Sequence, residues 1–141
     1  MLPATSTIAH DLRAACMRIT RRVRLQATRI PPHWFTVLAA LDRGVKTATE
    51  LAEREHVSAP SMSRTLKELE DRGLVSRTTD PDDRRSRILT LTEAGLRELH
   101  DGRRSRDHWM VERVRSCTPQ EQKVLYEATL ILNRLLEDDS R

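Results

Sequence analysis

The chain has 141 residues, of which 38% are hydrophobic and 3% aromatic, and its formal net charge is +4. This length corresponds to one ordinary domain, and the low apolar content supports only a modest core that would gain from being shared with a partner subunit. No apolar run approaches the ~18 residues of a membrane span, and the N-terminal segment lacks the basic and apolar regions of a signal peptide. Two cysteines, Cys16 and Cys117, are too few for a disulfide framework and are typical of a cytoplasmic protein.

The placement of the charge is more informative than its total. Residues 1–30 carry six arginines and one aspartate, whereas residues 58–91 carry seven basic and six acidic side chains. A positive total suggests a polyanionic partner, but only the positions of individual side chains can identify a binding surface.

The first part of the chain predicts two helices. Apolar residues recur at spacings of three and four from Ile8 to Val23, which indicates a helix over about residues 6–28. The prolines at 31–32 interrupt this pattern. Because proline is tolerated in the first turn of a helix, a second helix is expected to follow them and to end at Gly44.

Capping motifs mark the next two helices. The sequence TATE at 47–50 has the form of a capping box, in which the threonine caps a short helix and the glutamate reaches back. Ser58 is a natural N-cap for a helix over about residues 58–73, and Gly73 is a natural stop for it. These two helices, joined by a short turn, predict a helix–turn–helix.

Two strands are predicted at about residues 74–79 and 86–91, joined by a charged turn. Thr92 then caps a long arginine-rich helix, and a second capping box, TPQE at 118–121, begins the last helix. A hairpin that directly follows a helix–turn–helix is the winged form of that motif.

The predicted fold is therefore mainly α, of the α+β type with a small β-hairpin wing. Residues 31–92 would form the winged helix–turn–helix domain. The outer helices carry apolar stripes whose simplest use is to pack together, within and between subunits. Residues 1–30 are accordingly assigned to an N-terminal dimerisation helix and residues 93–141 to C-terminal dimerisation helices.

The fourth helix has two different faces. At 100° per residue, Met62, Leu66 and Leu69 fall on its inner side. Near its C-terminus the outer side carries Glu68 and Asp71, which phosphates would repel, whereas the helix dipole favours anions at the N-terminus. The candidate DNA contacts of the N-terminal half are Ser58, Ser61, Ser63, Arg64 and Lys67. An amphipathic surface helix with a merely solvated face is the alternative, which this helix alone does not exclude.

The turn between the strands, in TTDPDDRRSRILTLT, carries three acids followed by three arginines. A plain hairpin turn needs Gly, Asn, Asp or Pro and has no use for three arginines. Two interpretations are open: a reaching loop in which the acids hold the arginines toward something negative, or an ordinary solvated turn.

Residues 51–95 resemble the MarR family of bacterial transcription regulators. The matching segments, in the order and spacing of that family, are ELA, SMSRTLKELEDRGLV, DRR and LTLTEAG. The number and length of the flanking helices extend the likeness over nearly the whole chain.

The resemblance implies a homodimer of winged helix–turn–helix subunits, whose first and last two helices interlock and whose recognition helices enter the major groove of double-stranded DNA. It also implies a role for the wing. Asp83 would orient Arg85, which would enter the minor groove, where a narrow groove favours inserted arginine. Arg84 and Arg87 would then contact phosphates.

Two further residues each allow two interpretations. Trp34 is either a core residue or, by the same resemblance, part of a cleft that holds a small aromatic acid. Cys16, beside the apolar stripe of the first helix, is either a buried structural cysteine or, as in some relatives, a redox sensor. A reactive thiol needs a lowered pKa, for which Arg13, one turn away, is weak support.

No cofactor, metal or catalytic activity is expected. None of the five histidines forms an i, i+4 pair or a short cluster with cysteine, and the sequence has no glycine-rich phosphate loop or nucleophile elbow. The hypothesis with most support is a sequence-specific transcription regulator, a ligand-responsive repressor that binds a pseudo-palindromic operator as a homodimer. The alternative is a winged-helix protein-interaction module without DNA binding. Arg64 on the outer face and Arg85 at the wing tip favour DNA.

Overall fold

The computed structural model describes residues 1–26 and 29–138. Within these ranges the chain forms six α-helices and two β-strands, which confirms the predicted mainly α fold with one hairpin. In chain order the elements are α1 (Thr5–Arg24), α2 (Pro32–Asp42), α3 (Ala48–Arg54), α4 (Ala59–Asp71), β1 (Val75–Thr79), β2 (Arg87–Leu91), α5 (Glu93–Arg115) and α6 (Pro119–Asp138).

The predicted caps start the helices. Thr47 accepts a hydrogen bond from the backbone N–H of Glu50 at 3.2 Å, although the Glu50 carboxylate bonds the threonine hydroxyl rather than the backbone. The second capping box is reciprocal: the N–H of Glu121 donates to the Thr118 hydroxyl, and the N–H of Thr118 donates to the Glu121 carboxylate. Local side-chain chemistry therefore determines where these helices begin.

Some predicted boundaries were too generous. The first helix was expected to reach residue 28 but ends at Arg24. Residues 27–28, which that prediction included, lie outside the described residues. The chain must leave the helix before Pro31, which disfavours helical conformation in the residue before it. Leu74 was expected in the first strand, but its N–H closes the end of α4 by donating to the carbonyl of Leu69 at 2.9 Å. Gly73 allows this closure with φ 71°.

The two strands pair antiparallel, with Val75 opposite Leu91 and Thr79 opposite Arg87. The N–H of Leu89 also donates to the carbonyl of Lys46 at 2.8 Å, which ties the hairpin to the segment before α3. The hairpin is thus anchored near its middle, while residues 81–85 of its turn are exposed.

The core lies between α2, α3, α4, the hairpin and the first half of α5. Its most deeply buried large side chains are Val37, Leu38, Leu51, Leu66, Leu69 and Leu99. Because Leu99 belongs to α5, the packing of the winged domain continues past residue 92. The domain boundaries given above stay predictions.

Two glycines let α5 approach this domain closely. A Cβ on Gly95 would lie 2.0 Å from the carbonyl oxygen of Leu74, and one on Gly102 would lie 2.6 Å from the ring of Phe35. Arg103 adds an ion pair to Asp42 at 2.9 Å. These contacts hold α5 against α2 and the start of the wing.

The outer helices are different. Among the described side chains of α1 and α6 none is buried. On α1, Ile8, Leu12 and Ile19 are 44%, 40% and 41% exposed. On α6 the exposed apolar residues are Val124, Leu125, Tyr126, Leu130, Ile131, Leu135 and Leu136. None of the described helices is long and apolar enough to cross a membrane.

Candidate nucleic-acid interface

The inner face of α4 is packed as the sequence predicts. Met62, Leu66 and Leu69 are buried, which turns the opposite face outward. Ser58 caps the helix by accepting from the N–H of Ser61 at 3.2 Å, and its hydroxyl donates to the Ser61 hydroxyl at 3.0 Å. The structure therefore brings these two serines together at the N-terminus of α4.

The basic side chains of this helix are available to a ligand. Ser63 and Arg64 are exposed, and Arg64 makes no hydrogen bond or ion pair within the described part of the chain. Lys67 lies 3.7 Å from Asp71, but the two side chains are 76% and 68% exposed. A pair this exposed contributes little stability, so a phosphate can readily replace the aspartate.

The acids in the C-terminal half of α4 have partners inside the protein. The indole Nε1 of Trp34 donates to Glu68 Oε2 at 3.1 Å, and Glu70 pairs with Arg77 of β1. From the sequence alone Glu68 was interpreted only as a charge that phosphates would repel, because its partner is 34 residues away. Trp34 itself is 9% exposed and belongs to the core.

The acids of the wing shape its turn through the backbone. The Asp83 carboxylate accepts from the N–H of Arg85 at 3.0 Å and from the Ser86 hydroxyl at 2.9 Å, while Asp80 accepts from the N–H of Asp82 at 2.9 Å. The resemblance implied that Asp83 orients Arg85. In the structure Asp83 contacts the backbone of Arg85 and not its guanidinium.

The wing arginines are all exposed. Arg87 donates to the Thr79 hydroxyl of the opposite strand. In contrast, the guanidinium groups of Arg84 and Arg85 have no hydrogen bond or ion pair to any residue in the described ranges. Two unpaired guanidinium groups on a braced turn can contact an anionic surface without first breaking an internal contact.

A cavity of about 310 Å³ lies between α1, α2 and α5. Its apolar lining includes Phe35, and its arginines are Arg24, Arg43, Arg54 and Arg106. Arg106 stacks on the Phe35 ring, with its guanidinium carbon 3.6 Å from the ring centroid. Burial, and then the charge of Arg24, lower the pKa of Arg106. The residues that line this cavity could not be grouped from the sequence. They come from four helices and from the loop after α2, and no periodicity links their positions.

The Nε atom of Arg106 is buried and has no hydrogen-bond partner among the described residues. A buried donor without a partner is costly, so this nitrogen is suited to an acceptor that enters the cavity. A second cavity of about 510 Å³ adjoins Arg24 and extends to Ser61 at the start of α4. Trp34, the residue predicted to line a ligand cleft, is not among the residues that line either cavity.

Cys16 is exposed on α1, so in the single chain it is not the buried structural cysteine that one interpretation expected. Within the described ranges, no group of three or more His, Cys, Asp or Glu side chains comes together in a way that could hold a metal ion.

A three-helix unit with a hairpin wing, an outward recognition helix and unpaired arginines at the wing tip defines the class of winged helix–turn–helix DNA-binding proteins. Comparison with known proteins specifies the family. A sequence profile of the MarR family matches residues 30–86. The chain is 31% identical to an uncharacterized HTH-type transcriptional regulator of Mycobacterium leprae, over 98% of this chain and 99% of that protein. It is 32% identical to an HTH-type transcriptional regulator of Mycobacterium tuberculosis, with the same coverage.

Solved structures of other proteins support the same fold. A putative transcriptional regulator of Pseudomonas aeruginosa superimposes with a TM-score of 0.83 at 30% identity, over 96% of this chain and 98% of that one. A mutant of MepR from S. aureus, bound to an oligodeoxyribonucleotide, shares the fold with a TM-score of 0.65 at 20% identity, over 91% and 97% of the two chains. The chain belongs to the MarR family, which is a family of transcriptional regulators and not of enzymes.

Proposed function

We propose that the protein is a homodimeric, ligand-responsive repressor that binds a pseudo-palindromic operator in the cytoplasm. The N-terminal half of α4 reads the major groove through Ser61, Ser63 and Arg64, while Ser58 and Lys67 contact the flanking phosphates. At the wing, Arg85 enters the minor groove, Asp83 braces its backbone, and Arg84 and Arg87 contact phosphates. A repressor acts by occupying its operator, and this surface is the part of the chain that we propose makes that contact.

The observation that carries this proposal is the contrast between the two halves of α4. Glu68 and Glu70 of the C-terminal half have partners on α2 and β1, whereas Arg64 in the N-terminal half has no hydrogen bond or ion pair in the described ranges. The helix dipole adds positive potential at the same end. The arrangement leaves a surface suited to phosphates and base edges, and it favours DNA over a protein partner.

Dimerisation is supported by the apolar faces of α1 and α6. On α6 the side chains of Val124, Ala128, Ile131, Leu132 and Leu135 fall within one face at 100° per residue, and none of them is buried in the single chain. Exposed apolar faces of this extent mark interaction surfaces. A second copy offers the same faces, and two-fold symmetry of the protein then imposes two-fold symmetry on the operator.

Ligand response is supported by the arginine-lined cavity between α1, α2 and α5. A small aromatic acid fits its chemistry, because the ring would pack on the apolar lining near Phe35 and the carboxylate would accept from Arg106. The cavity separates an outer helix from the winged domain, so a ligand that prefers one spacing of these elements would shift the population of DNA-binding dimers.

Selection of bound sequences from a random pool of double-stranded DNA tests the proposal as a whole. We expect an inverted repeat whose half-sites lie about one helical turn apart. The double variant Arg64→Ala/Arg85→Ala serves as the control and should bind more weakly and give a less defined consensus. Recovery of asymmetric single half-sites, or of no sequence at all with the wild-type protein, would contradict the proposal.

The dimer is tested by thermal unfolding at several protein concentrations. We expect one transition whose midpoint rises with concentration. Leu135→Arg, on the apolar face of α6, should abolish this rise, whereas Asn133→Arg, on the opposite face, should leave it. A folded monomer at micromolar concentration in light scattering would exclude the proposed assembly.

The ligand is tested by titration with benzoate as the probe. Benzoate should raise the melting temperature and weaken operator binding of the wild-type protein, and Arg106→Met should reduce both effects. If benzoate changes neither quantity, an aromatic acid is not the effector.

A further inference from the structure

Glu68 lies next to Arg64 on the outer face of α4, because residues four apart on a helix are neighbours. A free carboxylate at that position would repel phosphates and would also be a natural partner for the Arg64 guanidinium. In the structure Glu68 and Arg64 do not pair. The Glu68 carboxylate instead accepts a hydrogen bond from the indole Nε1 of Trp34 at 3.1 Å.

Trp34 is a firm anchor for this bond. It lies in α2 and is 9% exposed, packed in the core of the winged domain. A tryptophan that is this buried needs an acceptor for its single N–H, and a charged acceptor gives the stronger hydrogen bond. The guanidinium carbon of Arg72, the residue that caps the C-terminus of α4, lies 5.8 Å from the centroid of the Trp34 ring. The last turn of α4 and its C-cap residue therefore both contact one side chain of α2.

We infer that Glu68 is a positioning residue for DNA recognition, whose carboxylate is held by Trp34 so that α4 is fixed on α2 and Arg64 stays unpaired. This inference rests on the proposed reading of DNA by α4. It assigns to an acid on the recognition helix a favourable effect on binding to a polyanion, which is opposite in sign to what its charge alone predicts.

Whether Glu68 strengthens or weakens DNA binding is tested with three variants and one control. Glu68→Ala removes the acceptor, Trp34→Phe removes the donor but keeps an aromatic ring, and Glu68→Gln removes the charge but keeps an acceptor oxygen. Asp71→Ala is the matched control, since it removes an equal charge one turn along the same helix without touching Trp34. Affinity for the selected operator is measured at one fixed salt concentration.

We expect Glu68→Ala and Trp34→Phe each to weaken operator binding by roughly five- to tenfold, which is on the order of the net contribution of one ordinary hydrogen bond. The double variant should be no weaker than either single one, because both remove the same bond. Glu68→Gln should bind at least as tightly as the wild type, and so should Asp71→Ala. If Glu68→Ala tightens binding as much as Glu68→Gln, the residue acts only through its charge and the inference is wrong.

A readout without DNA separates this inference from the proposed function. In the free protein, the indole N–H resonance of Trp34, identified by its loss in Trp34→Phe, should shift in Glu68→Ala and stay near its wild-type position in Asp71→Ala. An unchanged resonance in Glu68→Ala would overturn the inference even if the protein binds DNA. Since Glu68 is exposed, its variants are expected to fold, which circular dichroism verifies.

Discussion

Arg77 of the first wing strand pairs with Glu70 near the end of the recognition helix. The two side chains are 34% and 30% exposed, so the pair is only partly screened by water. Strand β1 follows α4 after a short turn, and this ion pair makes a second connection between them. The wing and the recognition helix are therefore held as one unit.

The Glu70–Arg77 pair predicts an effect on DNA binding that opposes simple electrostatics. Glu70→Ala removes a negative charge, which by itself would tighten binding to DNA, and also removes the acceptor that Arg77 contacts. We expect it to weaken operator binding, because the wing loses its tie to α4. Stability should change by no more than about 1 kcal/mol, as for other partly exposed pairs. Gel-shift titration and urea unfolding measure the two quantities.

Two further variants complete that test. The exchange Glu70→Arg/Arg77→Glu should recover part of the lost affinity, since it restores a pair with reversed polarity. Arg104→Met, which removes a positive charge from an exposed pair on α5, should leave operator binding nearly unchanged. Tighter binding by Glu70→Ala would show that the pair has no positioning role.

Replacing Arg64 and replacing Arg85 are expected to change DNA binding in different ways. If Arg64 reads a base edge, Arg64→Ala should cost about 1–3 kcal/mol and relax the preference at one position in each half-site. Arg85→Ala should weaken binding most at operators with A·T-rich flanks and leave the central preference intact, because groove width attracts its guanidinium. Selection of bound sequences with each variant separates the two patterns, and identical losses at all positions would assign both residues to phosphate contacts alone.

Salt dependence gives an independent measure of the same contacts. Each phosphate contact that is lost should make the slope of log affinity against log salt concentration less negative by roughly 0.9. Arg84→Ala is expected to show this change without a change in sequence preference. A slope equal to that of the wild type would mean that Arg84 does not approach the backbone of the DNA.

Two substitutions of Asp83 distinguish the effect of its charge on DNA binding from the effect of its hydrogen bonds. Asp83→Asn keeps an acceptor oxygen for the N–H of Arg85 and removes a negative charge, so it should bind DNA as tightly as the wild type or more tightly. Asp83→Ala also removes the charge but loses the hydrogen bonds that shape the turn, and it should weaken binding by roughly 1 kcal/mol. If Asp83→Ala tightens binding, the wing is an ordinary solvated turn.

Helix starts could be predicted from the sequence because their causes are local. Thr47, Ser58 and Thr118 each bond a backbone N–H three residues ahead, so a capping pattern contains the whole interaction. The turn of Asp83 is equally local. Its bond to the N–H two residues on is an Asx turn, which the spacing DxR could have indicated as readily as a contact between the two side chains.

Contacts between residues that are far apart in the sequence could not be predicted in this way. Trp34 reaches Glu68 across 34 residues of sequence, and Arg106 approaches Arg24 only because α1 and α5 pack together. No helical or strand period relates such positions. The sequence therefore predicts which face of α4 is outward but not what holds the helix in place.

The two close-packed glycines of α5 give a prediction about stability. A Cβ at residue 95 would lie 2.0 Å from a backbone carbonyl oxygen, which cannot yield without moving the start of the wing. Gly95→Ala should therefore cost more than about 3 kcal/mol and broaden or abolish the unfolding transition. At residue 102 the nearest atoms belong to the ring of Phe35, which can shift.

Gly102→Ala should accordingly cost only about 1–3 kcal/mol from overpacking, of which the better helix propensity of alanine offsets up to about 1 kcal/mol. Arg97→Ala, at an exposed position of the same helix, is the control and should stay within about 0.5 kcal/mol of the wild type. Urea unfolding at one protein concentration compares all three. Because the displaced ring of Phe35 lies under Arg106, Gly102→Ala should also change the response to benzoate, whereas Arg97→Ala should not. If Gly95→Ala proves as stable as Gly102→Ala, the start of α5 does not lie against Leu74 as closely as the 2.0 Å separation requires.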